Sequence, residues 1–152
     1  MDRMDYRILT ELQQDGRLSL TELAERVGLS TSPCHRRVRA LEKAGVITGY
    51  RAQIDASQLG YEFAAIVFVT MREGDHQAVT RFEQAVADIP HVLSAQRLFG
   101  DPDYMLHVVT RDLPAFQKLY DERLSAMPGV HRLTSTLVMK TLVPERGLPL
   151  PS

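Results

Sequence analysis

The residues best placed for chemistry lie between Ser32 and Lys43. There Ser32, His35, Arg36, Arg39 and Lys43 recur at helical spacing, with Arg37 at their border. Arginine can bond bidentately to the major-groove edge of guanine, and arginine and lysine both pair with phosphate. Such a face suits double-stranded DNA. Within residues 31–51 five basic side chains stand against one acidic side chain, so positive potential is concentrated where phosphate would lie.

A reading face needs a scaffold, and the flanking sequence describes one. Ser19 and Glu22 have capping-box spacing, and Leu20, Leu23, Ala24 and Val27 fall on one helical face. Gly28 follows the last apolar residue, where a left-handed conformation ends a helix at little cost, and Leu29 can drop beneath the turn. Small Ala24 lets the next helix approach closely. Ser30 or Ser32 caps that second helix, Pro33 is tolerated in its first turn, and Cys34, Val38 and Leu41 make its inward stripe. Gly45 ends it, and Val46 to Arg51 reads as the start of a wing strand. Upstream, Asp5 to Gln14 carries Tyr6, Ile8, Leu9 and Leu12 on one helical face, closed by Gly16. The layout is a winged helix-turn-helix on a trihelical core.

The 152 residues, 44% of them hydrophobic, bound the chain to one or two small globular domains. Net charge is only −1, but nine basic and seven acidic side chains fall in residues 1–53, and nine basic and twelve acidic in residues 54–152. The single Cys34 permits no internal disulfide and suits a reducing compartment. No apolar run is long enough for a membrane span, and the start of the chain lacks a signal-peptide pattern, so a cytoplasmic protein without a membrane partner is expected.

After residue 53 the pattern changes from helical stripes to β-prone runs. Residues 54–61 read as a linker. Phe63 to Met71 is nearly all apolar, as in a central strand. Asp75 to Asp88 reads as a helix with Val79, Phe82, Val86 and Ile89 inward, stopped by Pro90. Val92 to Phe99 and Tyr104 to Thr110 flank FGDPDY, whose Gly, Pro and Asp suit a hairpin turn. Leu113 to Met127 is a second helix, with Phe116, Leu119, Tyr120, Arg123 and Leu124 crossing its inner edge, and Val130 to Val143 is the last strand. The order β-α-β-β-α-β gives an α+β sandwich with both helices on one face of an antiparallel sheet. Yet Ile66 and Phe68 are as apolar as Val67 and Val69, and Met105 and Val109 as apolar as Leu106 and Val108. Two helices cover only one face, so a second copy, sheet against sheet, is expected to cover the other.

DYRILTELQQDGR at the start, LAERVGLSTSPCHRRVRALEKAGVITGY, GDPDYML at Gly100 to Leu106 and the closing GLPLP together resemble the Lrp/AsnC family, the leucine-responsive or feast/famine regulators of prokaryotes. The resemblance covers almost the whole chain in order. It implies a winged helix-turn-helix over residues 1–53, a linker at 54–61, a ferredoxin-like, ACT-like domain over 62–143 and a tail at 144–152. It implies a homodimer assembling further, commonly to an octamer, and an amino-acid effector bound in clefts between dimers. Carried over by position, that cleft would use Gly100, Asp101, Asp103 and Tyr104 of the turn and Ser135, Thr136 and Val138 of the last strand. On the residues alone, GDPDY reads first as a tight hairpin in which Asp103 bonds its own turn, and only the resemblance makes it a cleft.

Catalysis is not expected. His35, His76, His91, His107 and His131 lie without metal spacing, and no Ser-His-Asp set, phosphate-cradling glycine loop or HExxH string is recognisable, so neither cofactor nor metal is anticipated. The main alternative to a sequence-specific regulator is a DNA-compacting protein, which would share the basic helix but coat DNA evenly.

Overall fold

The computed structural model describes residues 1–72 and 76–151, except for the side chain of His76. Backbone contacts divide the chain into two units, Met1–Gln53 together with the chain from Leu142 on, and Ile54–Thr141.

The first unit is three helices around one core. Helix α1 (Arg3–Gln14) starts in a capping box in which Asp2 and Asp5 each accept a backbone N–H of the other at 2.9 Å. Helix α2 (Leu20–Val27) starts in the expected box of Ser19 and Glu22 and ends at Gly28, whose φ of 73° is left-handed. Helix α3 (Thr31–Lys43) follows the short turn; Ser30 holds its N-cap position without a side-chain bond, and Pro33 sits in the first turn. Ile8, Leu23, Ala24, Val27, Cys34, Val38 and Leu41 are buried together, with Leu29 packed against them. Residues 46–51 leave the helix as expected but form no strand. The Val46 and Ile47 amides both turn back to the Leu41 carbonyl, at 3.0 and 3.2 Å, so they are already spent on closing α3.

The second unit is a four-stranded antiparallel sheet in the order β2-β3-β1-β4, built from β1 (Phe63–Met71), β2 (Val92–Arg97), β3 (Tyr104–Thr110) and β4 (Val130–Leu137). Ala65, Val67, Val69, Tyr104, Leu106 and Val108 pack with Phe82, Val86 and Ile89, borne by helix α4 (His76–Ala87) and the turn after it, and with Phe116 of α5 (Leu113–Leu119). The expected start of α4 at Asp75 lies outside the described residues. On the opposite face Ile66, Phe68, Met105 and His107 remain half-buried, and residues 54–61 cover only the end near Val109.

Three elements end earlier than their sequence patterns suggest. β2 stops at Arg97 because the Leu98 amide donates to the Asp103 carbonyl at 2.7 Å and closes the turn, leaving Phe99 fully exposed. α5 passes at Tyr120 into one wide π turn, with Ser125 N–H bonded to the Tyr120 carbonyl. That turn brings Leu124 back under the sheet beside Phe116, while Arg123 is exposed rather than on the inner edge. β4 ends at Leu137, and from Leu142 on the chain belongs to the first unit.

Candidate nucleic-acid interface and effector site

At about 100° per residue, Ser32, His35, Arg36, Arg39 and Lys43 fall within roughly one quarter to one third of the circumference of α3. All five are exposed, whereas Cys34, Val38 and Leu41 on the other side are buried. The packing therefore holds this face outward without using its side chains. Arg39 Nε donates to His35 Nε2 at 3.3 Å, and its guanidinium lies 3.7 Å from Glu42. Among the described residues Arg36 and Lys43 have no ion-pair partner. A row of exposed cations on a helix with a rigid buried side can enter a major groove and bond both base edges and phosphates.

Arg37 lies off that arc and pairs with α1. Its Nη1 is 2.8 Å from Asp2 Oδ2 and 2.8 Å from Asp5 Oδ1, which ties α3 to the capping box of α1. Hydrogen bonds to Asp5 and then Asp2 raise the pKa of the guanidinium. The Asp2 carboxyl is held below its usual range first by the Asp5 amide and then by Arg37. Sequence spacing placed Arg37 at the border of the basic face; the fold turns it toward α1. Asp2 and Asp5 stand three residues apart, a spacing that signals a capping box.

In the second unit the turn after β2 is closed by its own Leu98–Asp103 bond and is also fastened to β1. The Asp103 amide donates to the Val69 carbonyl at 2.9 Å, and Asp103 Oδ2 accepts the Met71 amide at 2.7 Å. Asp101 Oδ1 accepts from Thr70 Oγ1 at 3.3 Å and lies 3.9 Å from Arg132 Nη2. Thr70 and Arg132 are paired in register, so this carboxylate leans toward the helix-free face. Tyr104 points the other way. Its ring packs 4.7 Å from Phe82, and its hydroxyl donates to Glu83 Oε1 at 2.7 Å, with Arg97 3.6 Å from the same oxygen. Burial, and then Glu83, push the phenol up to about 12. Glu83 carried no sequence signal, since only the register of β3 against α4 reveals it.

The two halves of the expected cleft do not meet within one chain. Tyr104 pairs with Val69, whereas Val138 donates to the Ala64 carbonyl at the other end of β1. Five residues of strand put them about 17 Å apart along the sheet, and they are two strands apart across it. Ser135 pairs with Val67 and Thr136 with Ile66, so these two neighbours face opposite sides. Among the described residues no group of three or more His, Cys, Asp or Glu is placed to hold a metal ion, and no helix is long and apolar enough to cross a membrane.

Two family models match the chain in succession. Residues 1–48 match the winged helix-turn-helix DNA-binding model, and residues 64–148 match the Lrp/AsnC ligand binding domain. The chain is 39% identical over 150 residues to the Bkd operon transcriptional regulator of Pseudomonas aeruginosa, covering 99% of this chain and 98% of that one. It is 39% identical over 140 residues to the leucine-responsive regulatory protein of Escherichia coli K12, covering 92% and 85%. Its structure superimposes on a transcriptional regulator from Neisseria meningitidis, solved as a complex with L-Met, with TM-score 0.94, 36% identity and coverage of 98% and 96%. An AsnC family transcriptional regulator from Agrobacterium tumefaciens gives 0.92, 32%, 98% and 97%.

Proposed function

Because the chain belongs to the Lrp/AsnC family of transcriptional regulators, we propose that it reads DNA through α3 and that a free amino acid controls the reading. Residues 1–53 form the reading unit, residues 54–61 link it, residues 62–143 form the sensing and pairing unit, and residues 144–152 close the chain. Arg36 and Arg39 reach base edges, while Ser32, His35 and Lys43 hold phosphates; Arg37 positions the helix. The observation that carries this assignment is the outward arc of α3, whose cations are free of the core that orients them.

The effector site is composite. Gly100, Asp101 and Asp103 of one copy supply backbone groups and a carboxylate, and Ser135, Thr136 and Val138 come from another. The separation of about 17 Å along the sheet between Tyr104 and Val138 within one chain supports that reading. Asp101 meets the ammonium, backbone N–H groups meet the carboxylate, and Val138 bounds the side chain. Tyr104 contributes by fixing the turn to α4 rather than by touching the ligand. The Neisseria relative bound to L-Met supports an amino acid as the ligand class.

Pairing occurs through the helix-free sheet face around Ile66, Phe68 and Met105, and dimers assemble to an octamer. An effector between dimers shifts the assembly equilibrium and with it the spacing of the reading units. Thermal-shift measurements against each amino acid, followed by sedimentation and binding to the duplex upstream of its own gene, test the reading. Stabilisation by one amino acid with a change in assembly or DNA affinity is the expected result. Binding that changes neither contradicts the coupling.

A further inference from the structure

The closing Gly-Leu-Pro-Leu motif is bound within the first unit. The Gln13 carboxamide, at the end of α1, holds the Leu148 backbone from both sides: Leu148 N–H donates to Oε1 at 2.6 Å, and Nε2 donates to the Leu148 carbonyl at 3.2 Å. A β-carbon at Gly147 would lie 2.9 Å from Gln13 Cδ, so a larger residue there displaces the carboxamide that makes both bonds. Pro149 and Pro151 have no N–H to satisfy and favour an extended chain, which lowers the ordering cost of docking. Leu150 is half-buried beside a groove of about 750 Å³ that Leu9, Leu12, Ile47 and Tyr50 also line, whereas the Leu148 side chain stays 73% exposed, so its backbone is what the clamp holds.

We propose that residues 147–150 are a tether held at the edge of this groove by the Gln13 clamp, giving the reading unit a second connection to the sensing unit besides the one at residues 53–54. No further helix or strand intervenes between β4 and the clamp. The segment that follows the proposed effector strand therefore ends on the helix that Arg37 joins to α3. This coupling rests on the roles assigned above to the two units. The docking itself can be tested without either ligand.

Hydrogen exchange is measured on the full chain, on a chain ending at Arg146, and on the Gln13→Ala and Gly147→Val variants, with neither DNA nor amino acid present. The amides of residues 9–15, 46 and 47 are expected to exchange about tenfold faster in all three altered proteins, as loss of two hydrogen bonds implies. Those of β3 are expected to stay as they were. Unchanged exchange at residues 9–15, or equal acceleration in β3, overturns the tether. Failure of the protein to bind DNA would leave this result readable and would count only against the function proposed above.

Discussion

Arg37 Nη1 lies 2.8 Å from Asp5 Oδ1, so the helix that carries the exposed cations is bonded to the first turn of α1. The same nitrogen bonds Asp2, and Asp2 and Asp5 cap one another. Three charged side chains thus join the capping of one helix to the orientation of another.

This relationship separates Arg37 from its neighbours in a salt titration. Each phosphate contact contributes about 0.9 to the slope of log affinity against log salt. Lys43→Ala is expected to flatten that slope by about 0.9, measured on a mixed-sequence duplex. Arg37→Ala should leave the slope unchanged while lowering the melting temperature, and Asp5→Asn should lower it in the same way.

The latch and the α2 cap give the first unit an acid-sensitive stability. Asp2 is held below its ordinary 3.8 by the Asp5 amide and Arg37, and Glu22 below 4.5 by the Ser19 hydroxyl and amide. A carboxylate with a depressed folded pKa stabilises above its unfolded value and loses that contribution as pH falls through the folded one. Helical signal from this unit should therefore decline below about pH 4. Asp2→Asn and Glu22→Gln should shallow the decline, and an unchanged acid limb in both would contradict the assignment.

Tyr104 gives a spectroscopic test of the turn. Its phenol is pushed up from 10.0 to about 12, so one of the five tyrosines should resist ionisation in an ultraviolet titration until about pH 12. The sign follows from the neutral form being favoured in the fold. The contribution is full below pH 10 and is lost as pH rises toward 12. Tyr104→Phe should remove the late-titrating group, and its persistence in that variant would assign it elsewhere.

Cys34 is fully buried, and burial raises its pKa. Aromatic disulfide reagents should label it only at the rate of unfolding in native buffer and immediately in denaturant. Rapid labelling of the native protein would show that the α2–α3 packing is open.

Most of the first unit was legible because its signals are local. Ser19 with Glu22, Gly28, and the Cys34, Val38, Leu41 stripe each depend on neighbours within a few residues. The missing strand at 46–51 reflects pairing, which periodicity within one segment cannot report. In the second unit the apolar runs gave the strands and their order, whereas Tyr104 required the third dimension. The family resemblance implied a cleft residue there, and it is strand alternation that sends its ring to Phe82 and its hydroxyl to Glu83. The extra residue in the α5 π turn and the docking of Leu148 on Gln13 likewise depend on partners far along the chain.

The most direct test of the reading face is equilibrium binding to the duplex upstream of the protein's own gene, comparing the native chain with the Arg36→Ala, Arg39→Ala double variant at fixed salt. Each residue assigned to a base edge is worth about 1–3 kcal/mol, so the pair should cost roughly thirtyfold or more in affinity. The melting temperature should stay within a degree or so, because both side chains point away from the core. Equal affinity for the two proteins, at equal stability, would contradict the assignment of α3 as the surface that reads DNA.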